Sequence, residues 1–581
     1  MEKMRRATVA AGIAMVLALS ACSGGGDDND NDTNNGQAEF NAAASEIVNP
    51  SDRKGGTLNL ALSDDWDSID PGNTYYAFSW NFARLYGRSL VAFKPVAGKE
   101  GLELVPDLAE SLGEVSDGGK TITYKIRSGV KFEDGSPVTS KDVKYAVART
   151  YARDVLPNGP TYFVDLLEGG DYKGPYTTPD INAFTGIQTP DDQTLVFKLK
   201  DPFGDFDYLV TSPQTIPVPQ AKDTGAKYQE HPVSTGSYKV DVYTPGVEFK
   251  LSKNPNWDSS DTNRKQLVDN IDVRLKVNAE DIDNRLLAGS LDADLAGSGA
   301  QAAAQSRILS DPNVKKSSDN TFTGRLWYFV MNEKVAPFDN IDCRKAVQYA
   351  TDKVALQTAY GGPIGGGDIA TTMLPPNIVG YKEANLYETP DSKGDVTKAK
   401  DALTKCGKPD GFSTKILLRS DRPKEVASGE ALQQALAKAN IKAEIVSVPA
   451  GQYFTRFAGA PEYMKTNQIG IAFHGWSADW PTGFGFLQQL VDGRTIKAQG
   501  NTNVQEMNDP AINALFDKAA SSTDAGERED IYGQIDNAAM ERASVVPFLY
   551  GKGLLYRNPA MTNVYVSFPY GMYDYAQLGK N

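Results

Sequence analysis

Residues 121–127 alternate strictly, with Ile122, Tyr124 and Ile126 on one face and Thr121, Thr123, Lys125 and Arg127 on the other. A period of two is that of a strand with one face in a core. Leu195, Phe197 and Leu199 repeat it. Between these strands, Thr139-Ser140-Lys141-Asp142 has the form of a capping box and predicts a helix burying Val143, Ala146 and Val147. Farther on the pattern becomes β–α–β. Residues 415–419 predict a short strand, 423–439 a helix with Leu432, Ala435, Leu436 and Ala439 inward, and 441–448 a second strand. A crossover of this length suits a parallel pair. Residues 468–474 predict another strand, which runs into Gly475-Trp476-Ser477-Ala478-Asp479-Trp480-Pro481. Ligands of open α/β sheets settle beyond the carboxyl ends of strands, so a site is expected in this loop.

The mixed patterning begins at Gly55-Gly56-Thr57-Leu58 and continues to the end without an internal repeat. At 581 residues the chain exceeds what one core can serve and predicts two or three domains. Its start is patterned differently. Lys3, Arg5 and Arg6 precede an apolar run over 7–19 that is too short to span a bilayer. The run ends in Leu19-Ser20-Ala21-Cys22, which resembles the lipobox of bacterial lipoproteins. That resemblance implies cleavage before Cys22 and a diacylglycerol on its thiol; an ordinary signal peptide with a chance cysteine is the alternative. Residues 1–21 are thus expected to be a signal peptide. Residues 22–54 are expected to be the lipidated cysteine and a flexible tether, because Gly, Asp and Asn dominate there and large apolar residues are few. Asp28, Asp30 and Asp32 lack the glycine that a calcium loop carries at its sixth position, and they read as solvated spacer.

Composition narrows the function. The formal charge is 60 − 74 = −14, which speaks against a nucleic-acid surface. Two cysteines remain after Cys22. Thiols outside the membrane tend to pair, so Cys343 and Cys406 are expected to form a disulfide, with two buried free thiols as the alternative. Only His231 and His474 are available as imidazole ligands, so no protein-ligated metal and no cofactor are expected.

Read in order, several segments resemble family 5 of the bacterial extracellular solute-binding proteins, the oligopeptide- and dipeptide-binding group. They are Gly55-Gly56-Thr57-Leu58 with Ser68-Ile69-Asp70-Pro71, the stretch 124–139 with its Phe132-Glu133-Asp134-Gly135, Ser234-Thr235-Gly236-Ser237-Tyr238, the stretch 337–353, and Gly475 through Pro481. The resemblance implies an α/β bilobal periplasmic-binding-protein-like clamp, type II, cluster C, with an extra α/β domain. Mapped onto this chain, lobe one is expected over 55–95, 220–310 and 546–581, the extra domain over 96–219, and lobe two over 311–545. It also implies an extracytoplasmic, lipid-anchored monomer that delivers short peptides to the permease subunits of an ABC importer.

A generic peptide binder must hold an ammonium, a carboxylate and alternating amide groups while ignoring side chains. A buried carboxylate suits the ammonium, and strand-like pairing suits the amides. The resemblance places that carboxylate at Asp479, with Trp476 and Trp480 as apolar walls. Asp is also a common turn former, and the tryptophans could belong to the core. Arg456 and Arg422 are candidates for the ligand carboxylate, because a guanidinium fork fits that anion. Tyr75, Tyr76 and Trp327 are candidate cleft walls. Two departures from the family pattern stand out. Phe473-His474 precedes the loop where some peptide binders carry a basic residue, and Pro481-Thr482-Gly483 closes it unusually. Within the same fold the cargo could instead be an oligosaccharide, an opine, a metal chelate or a siderophore. A secreted enzyme is the other rival. Ser128-Gly129-Val130-Lys131 fits a Ser-x-x-Lys motif but lacks its Lys-Thr-Gly partner, and the Gly361–Gly367 run is followed by Asp368 rather than Lys. No catalytic residues are expected.

Overall fold

Two long strands, Ser318–Met331 and Val545–Tyr556, organise the computed structural model, which describes residues 39–581. They run antiparallel from the Ser318–Tyr556 pair to the Val330–Val545 pair, and their ladder breaks between Phe322 and Leu326. Gly324 sits in that break with φ of 69°, a left-handed conformation that glycine adopts without penalty. On one side of the break, Leu555 joins a core with Leu58, Trp66, Phe82 and Phe249. On the other, Phe329, Val546 and Phe548 join a core with Ile416, Leu432 and Phe473. The strands therefore connect two lobes.

The first lobe is built on a five-stranded sheet. Thr57–Ala61 lies parallel to Asn270–Arg274 and Ala293–Asp294, and the hairpin Tyr238–Thr244/Glu248–Lys253 extends the sheet antiparallel. The second lobe carries six strands in the order Gly367–Ile369, Val545–Tyr556, Ser318–Met331, Ile471–Ser477, Phe412–Arg419, Ile441–Val448. Phe412–Arg419 and Ile441–Val448 pair in parallel around the helix Pro423–Lys438, as the β–α–β pattern predicts. Asn440, at φ of 64°, turns the chain out of that helix.

A four-stranded antiparallel sheet of Glu114–Ser116, Thr121–Lys125, Thr194–Lys198 and Ile187–Gln188 lies apart from both. The Thr139/Asp142 capping box is present, and the helix Ser140–Arg149 buries Val143, Ala146 and Val147. This region is pinned by buried charge. Arg149 forks onto Asp70 at 2.9 and 2.7 Å and reaches Asp223 at 3.1 Å. On its other flank, Asp205 accepts from Trp480 Nε1 at 2.8 Å, from the Tyr532 hydroxyl at 2.6 Å and from Thr482 Oγ1.

Residues 1–38, and with them the expected leader and Cys22, lie outside the described residues. The expectation of a tether reaching residue 54 is corrected for its second half. Ala42–Ser45 is helical, and the Ala43 amide donates to Asp319 at 3.0 Å. Val48 pairs with Val564 in both directions at 2.8 and 3.0 Å. Ala43 and Val48 enter the first-lobe core. Small alanines contribute little to a hydrophobic tally, so this docking was invisible in composition. Cys343 and Cys406 are bridged, tying the helix Ile341–Ala350 to the end of Val396–Lys405 with Cα atoms 5.2 Å apart. No described helix is long and apolar enough to cross a membrane.

Candidate functional site

A cleft of about 880 Å³ opens where the crossing strands pass between the lobes. Tyr75, Tyr76 and Trp80 line it from the first lobe, and Tyr360, Trp476 and Asp479 from the second. Arg325 and Trp327 reach it from the crossing strand itself. Tyr75 and Tyr76 are half exposed, at 46% and 53%, so they line the cleft instead of filling a core.

Asp479 lies just past the end of the strand Ile471–Ser477, where the loop turns into the helix Gly483–Val491. That helix is capped by Thr482, whose Oγ1 accepts from the Gly485 amide at 3.1 Å, and Gly485 O in turn accepts from the Asp479 amide at 3.2 Å. The backbone around the acid is thus held by hydrogen bonds independent of any ligand. Asp479 Oδ1 accepts from the Tyr75 hydroxyl at 2.5 Å, and that hydroxyl lies 3.2 Å from the hydroxyl of Tyr162. Burial pushes the Asp479 carboxyl up to about 6, with the Tyr75 and Tyr162 hydroxyls pulling it back. Its polar neighbours are neutral hydroxyls, and among the described residues no cation pairs with it.

The two tryptophans divide. Trp476 lines the cleft, and its indole Nε1 is buried without a partner among the described residues. Trp480 is buried, bonded to Asp205 and packed edge-on against Tyr162 at 5.3 Å and Phe203 at 5.7 Å, so it mainly braces the loop. Trp327 forms the floor with Tyr360, ring centroids 4.9 Å apart. Gly475 makes this possible, since a Cβ there would meet the Trp327 ring at 2.1 Å. Arg422 and Arg456 are exposed and absent from the cleft walls. Cations that do line it are Arg325, Lys424 and Lys552, none of which sequence reasoning singled out. The signal for Arg325 was a lone charge beside the apolar run Leu326–Met331.

His474 does not fill the place of a basic residue. It is fully buried and stacked on Tyr328 at 4.8 Å, and burial pushes its imidazole down to about 3, so it is neutral at physiological pH. Among the described residues no cluster of three or more His, Cys, Asp or Glu could hold a metal ion. A second cavity of about 710 Å³ adjoins the cleft, sharing Tyr75, Trp476, Asp479 and Trp480 as a partition.

Comparison with known proteins gives this arrangement a context. The family model described as "Bacterial extracellular solute-binding proteins, family 5 Middle" matches residues 103–498. A solved structure of clavulanic acid biosynthesis oligopeptide binding protein 2 superposes with a TM-score of 0.89 at 41% identity, covering 94% of this chain and 98% of that one. Heme-binding protein A of Haemophilus influenzae is 27% identical over 524 residues, covering 87% of this chain and 88% of the relative. Di/tripeptide-binding protein 1 of Pseudomonas aeruginosa is 26% identical over 478 residues, covering 78% and 81%.

Proposed function

The chain belongs to family 5 of the bacterial extracellular solute-binding proteins, which serve ABC importers, and from that premise we propose that its cargo is short peptides with a free amino terminus. The observation that carries this reading is Asp479, a carboxylate set among aromatic rings with hydroxyls but, among the described residues, no cation beside it. A desolvated acid of this kind is completed by an ammonium, which returns the opposite charge and several donors. The names of the two relatives that bind peptides support the same reading.

In this proposal the amino end of the peptide meets Asp479 and takes the place of the Tyr75 hydroxyl. The rings of Tyr75, Tyr76, Trp327 and Trp476 cover its side chains without reading them. Contacts from both lobes favour the closed arrangement, which the permease engages. The protein acts by capture and delivery, with no catalytic step. The proposed division of the chain keeps lobe one over 55–95, 220–310 and 546–581, the extra domain over 96–219 and lobe two over 311–545. Cys22 as lipid attachment point and export to the outer face of the membrane belong to the same proposal. Cys22→Ser should release the protein from the membrane fraction.

Removing the acid would leave a buried ammonium unanswered, at roughly 3–5 kcal/mol. Asp479→Ala should therefore weaken binding of an unmodified tripeptide by about two to four decades, at about 1.4 kcal/mol per decade, in isothermal calorimetry. An N-acetylated peptide should bind the wild type as poorly as the free peptide binds the variant. Undiminished affinity in either comparison sinks the assignment of Asp479 to the amino end.

A further inference from the structure

Charge in the cleft does not balance. Among the described residues lining it, Asp479 is the one carboxylate, against the cations Arg325, Lys424 and Lys552. Lys552 is answered by Asp368 at 2.6 Å. Arg419, close behind the floor, is taken by Glu425. Arg325 has neither an ion pair nor a hydrogen-bond acceptor among the described residues. Its guanidinium lies over the Trp327 ring at 5.1 Å, and burial disfavours its charge. Lys424, at the exposed mouth, lies over the Tyr360 ring at 5.7 Å and donates to the Gly365 carbonyl alone at 3.2 Å. Since Trp327 and Tyr360 pack together at 4.9 Å, the two cations flank one aromatic floor.

A half-buried guanidinium with no anion in contact costs stability, and the Trp327 ring beneath it offsets only part of that cost. A ligand carboxylate would remove that cost, and a guanidinium fork fits it in two parallel bonds. A simple zwitterionic peptide would answer Asp479 with its ammonium and Arg325 with its single carboxylate, leaving Lys424 over. Resting on the peptide reading above, we propose that the cleft selects acidic short peptides: ligands with one amine at Asp479, one carboxylate on Arg325 and a further carboxylate toward Lys424.

The test is a calorimetric series at low ionic strength on the full mature chain, using Ala-Ala-Ala-amide, Ala-Ala-Ala and Ala-Glu-Ala. The carboxylate that meets Arg325 should tighten binding by about tenfold or more, and the further one toward exposed Lys424 by about twofold to fivefold. In Arg325→Gln the step between amide and acid should shrink below about threefold, while Arg325→Lys should keep most of it. The Arg325→Gln protein should melt no lower than wild type, because it loses an unpaired charge. Lys424→Gln should reduce only the advantage of Ala-Glu-Ala. Equal affinities across the three peptides, or steps that survive unchanged in Arg325→Gln, overturn this proposal while leaving peptide capture intact. Failure of all three peptides to bind the wild type would instead overturn the peptide reading itself.

Discussion

At the scale of single residues, Asp479 holds two roles in tension. Its carboxyl is pushed up to about 6 by burial, above the value near 3.9 of an unfolded chain. The folded state therefore binds more protons than the unfolded state between these values. The group favours folding most at low pH, and that contribution is lost as pH rises through 6. Asp479→Asn should accordingly raise the stability of the free protein at pH 7 by about 1 kcal/mol or more, once solvent screening is allowed for. Chemical denaturation read at pH 7 and pH 4 checks this, since the gain should vanish at the lower pH. Binding has the opposite sign. A bound ammonium needs the ionised acid, so peptide affinity should be greatest near pH 7 and fall as pH drops below about 6, with proton release on binding visible there when the buffer is varied. Affinity independent of pH from 8 to 5 would mean that the ammonium goes elsewhere. Much of this residue's setting could be read from the loop, because a strand end followed by Trp-Ser-Ala-Asp-Trp names the place. Its partner hydroxyls could not, because Tyr75 and Tyr162 are 404 and 317 positions away and meet it only through the fold.

Among elements, those with one unbroken period were legible. Thr121–Lys125 and Thr194–Lys198 keep one face buried throughout, and Ser140–Arg149 announces its start with a capping box. The crossing strands were not, because each leaves one core and enters another. Ser318–Met331 changes its register partway, so neither a period of two nor a continuous apolar run describes it, and Arg325 falls in the irregular middle. The disulfide acts at this scale as well. It closes a loop of sequence separation 63 between two second-lobe helices, which in the chain-entropy picture stabilises by roughly 4 kcal/mol. Cys343→Ala with Cys406→Ala should lower the denaturation midpoint by a comparable free energy without weakening peptide binding at moderate temperature. A variant as stable as wild type would show that the helix packing suffices alone.

For the whole molecule, the contact from Tyr75 to Asp479 links the first lobe to the second. It favours a partly closed arrangement, and a ligand that answers Asp479 shifts the population further because it touches both sides. Tyr75→Phe removes the hydroxyl and leaves the ring. In small-angle scattering the free variant should show a larger radius of gyration than the free wild type, and saturating peptide should bring both to the same compact value. Identical free-state radii would show that the crossing strands alone set the opening.

The docking of residues 39–54 has a mechanical consequence. Val48 is zipped to Val564, and Ala43 hangs from Asp319, which also receives the Tyr573 hydroxyl at 2.8 Å and the Arg557 guanidinium. Any pull on the polypeptide ahead of Glu39 is borne there, by the body of the Thr57–Ala61 sheet, before it can load the bend at Gly324. If Cys22 is the lipid attachment point, that half is the one held at the membrane, and the half carrying Asp479 is the one left free to swing.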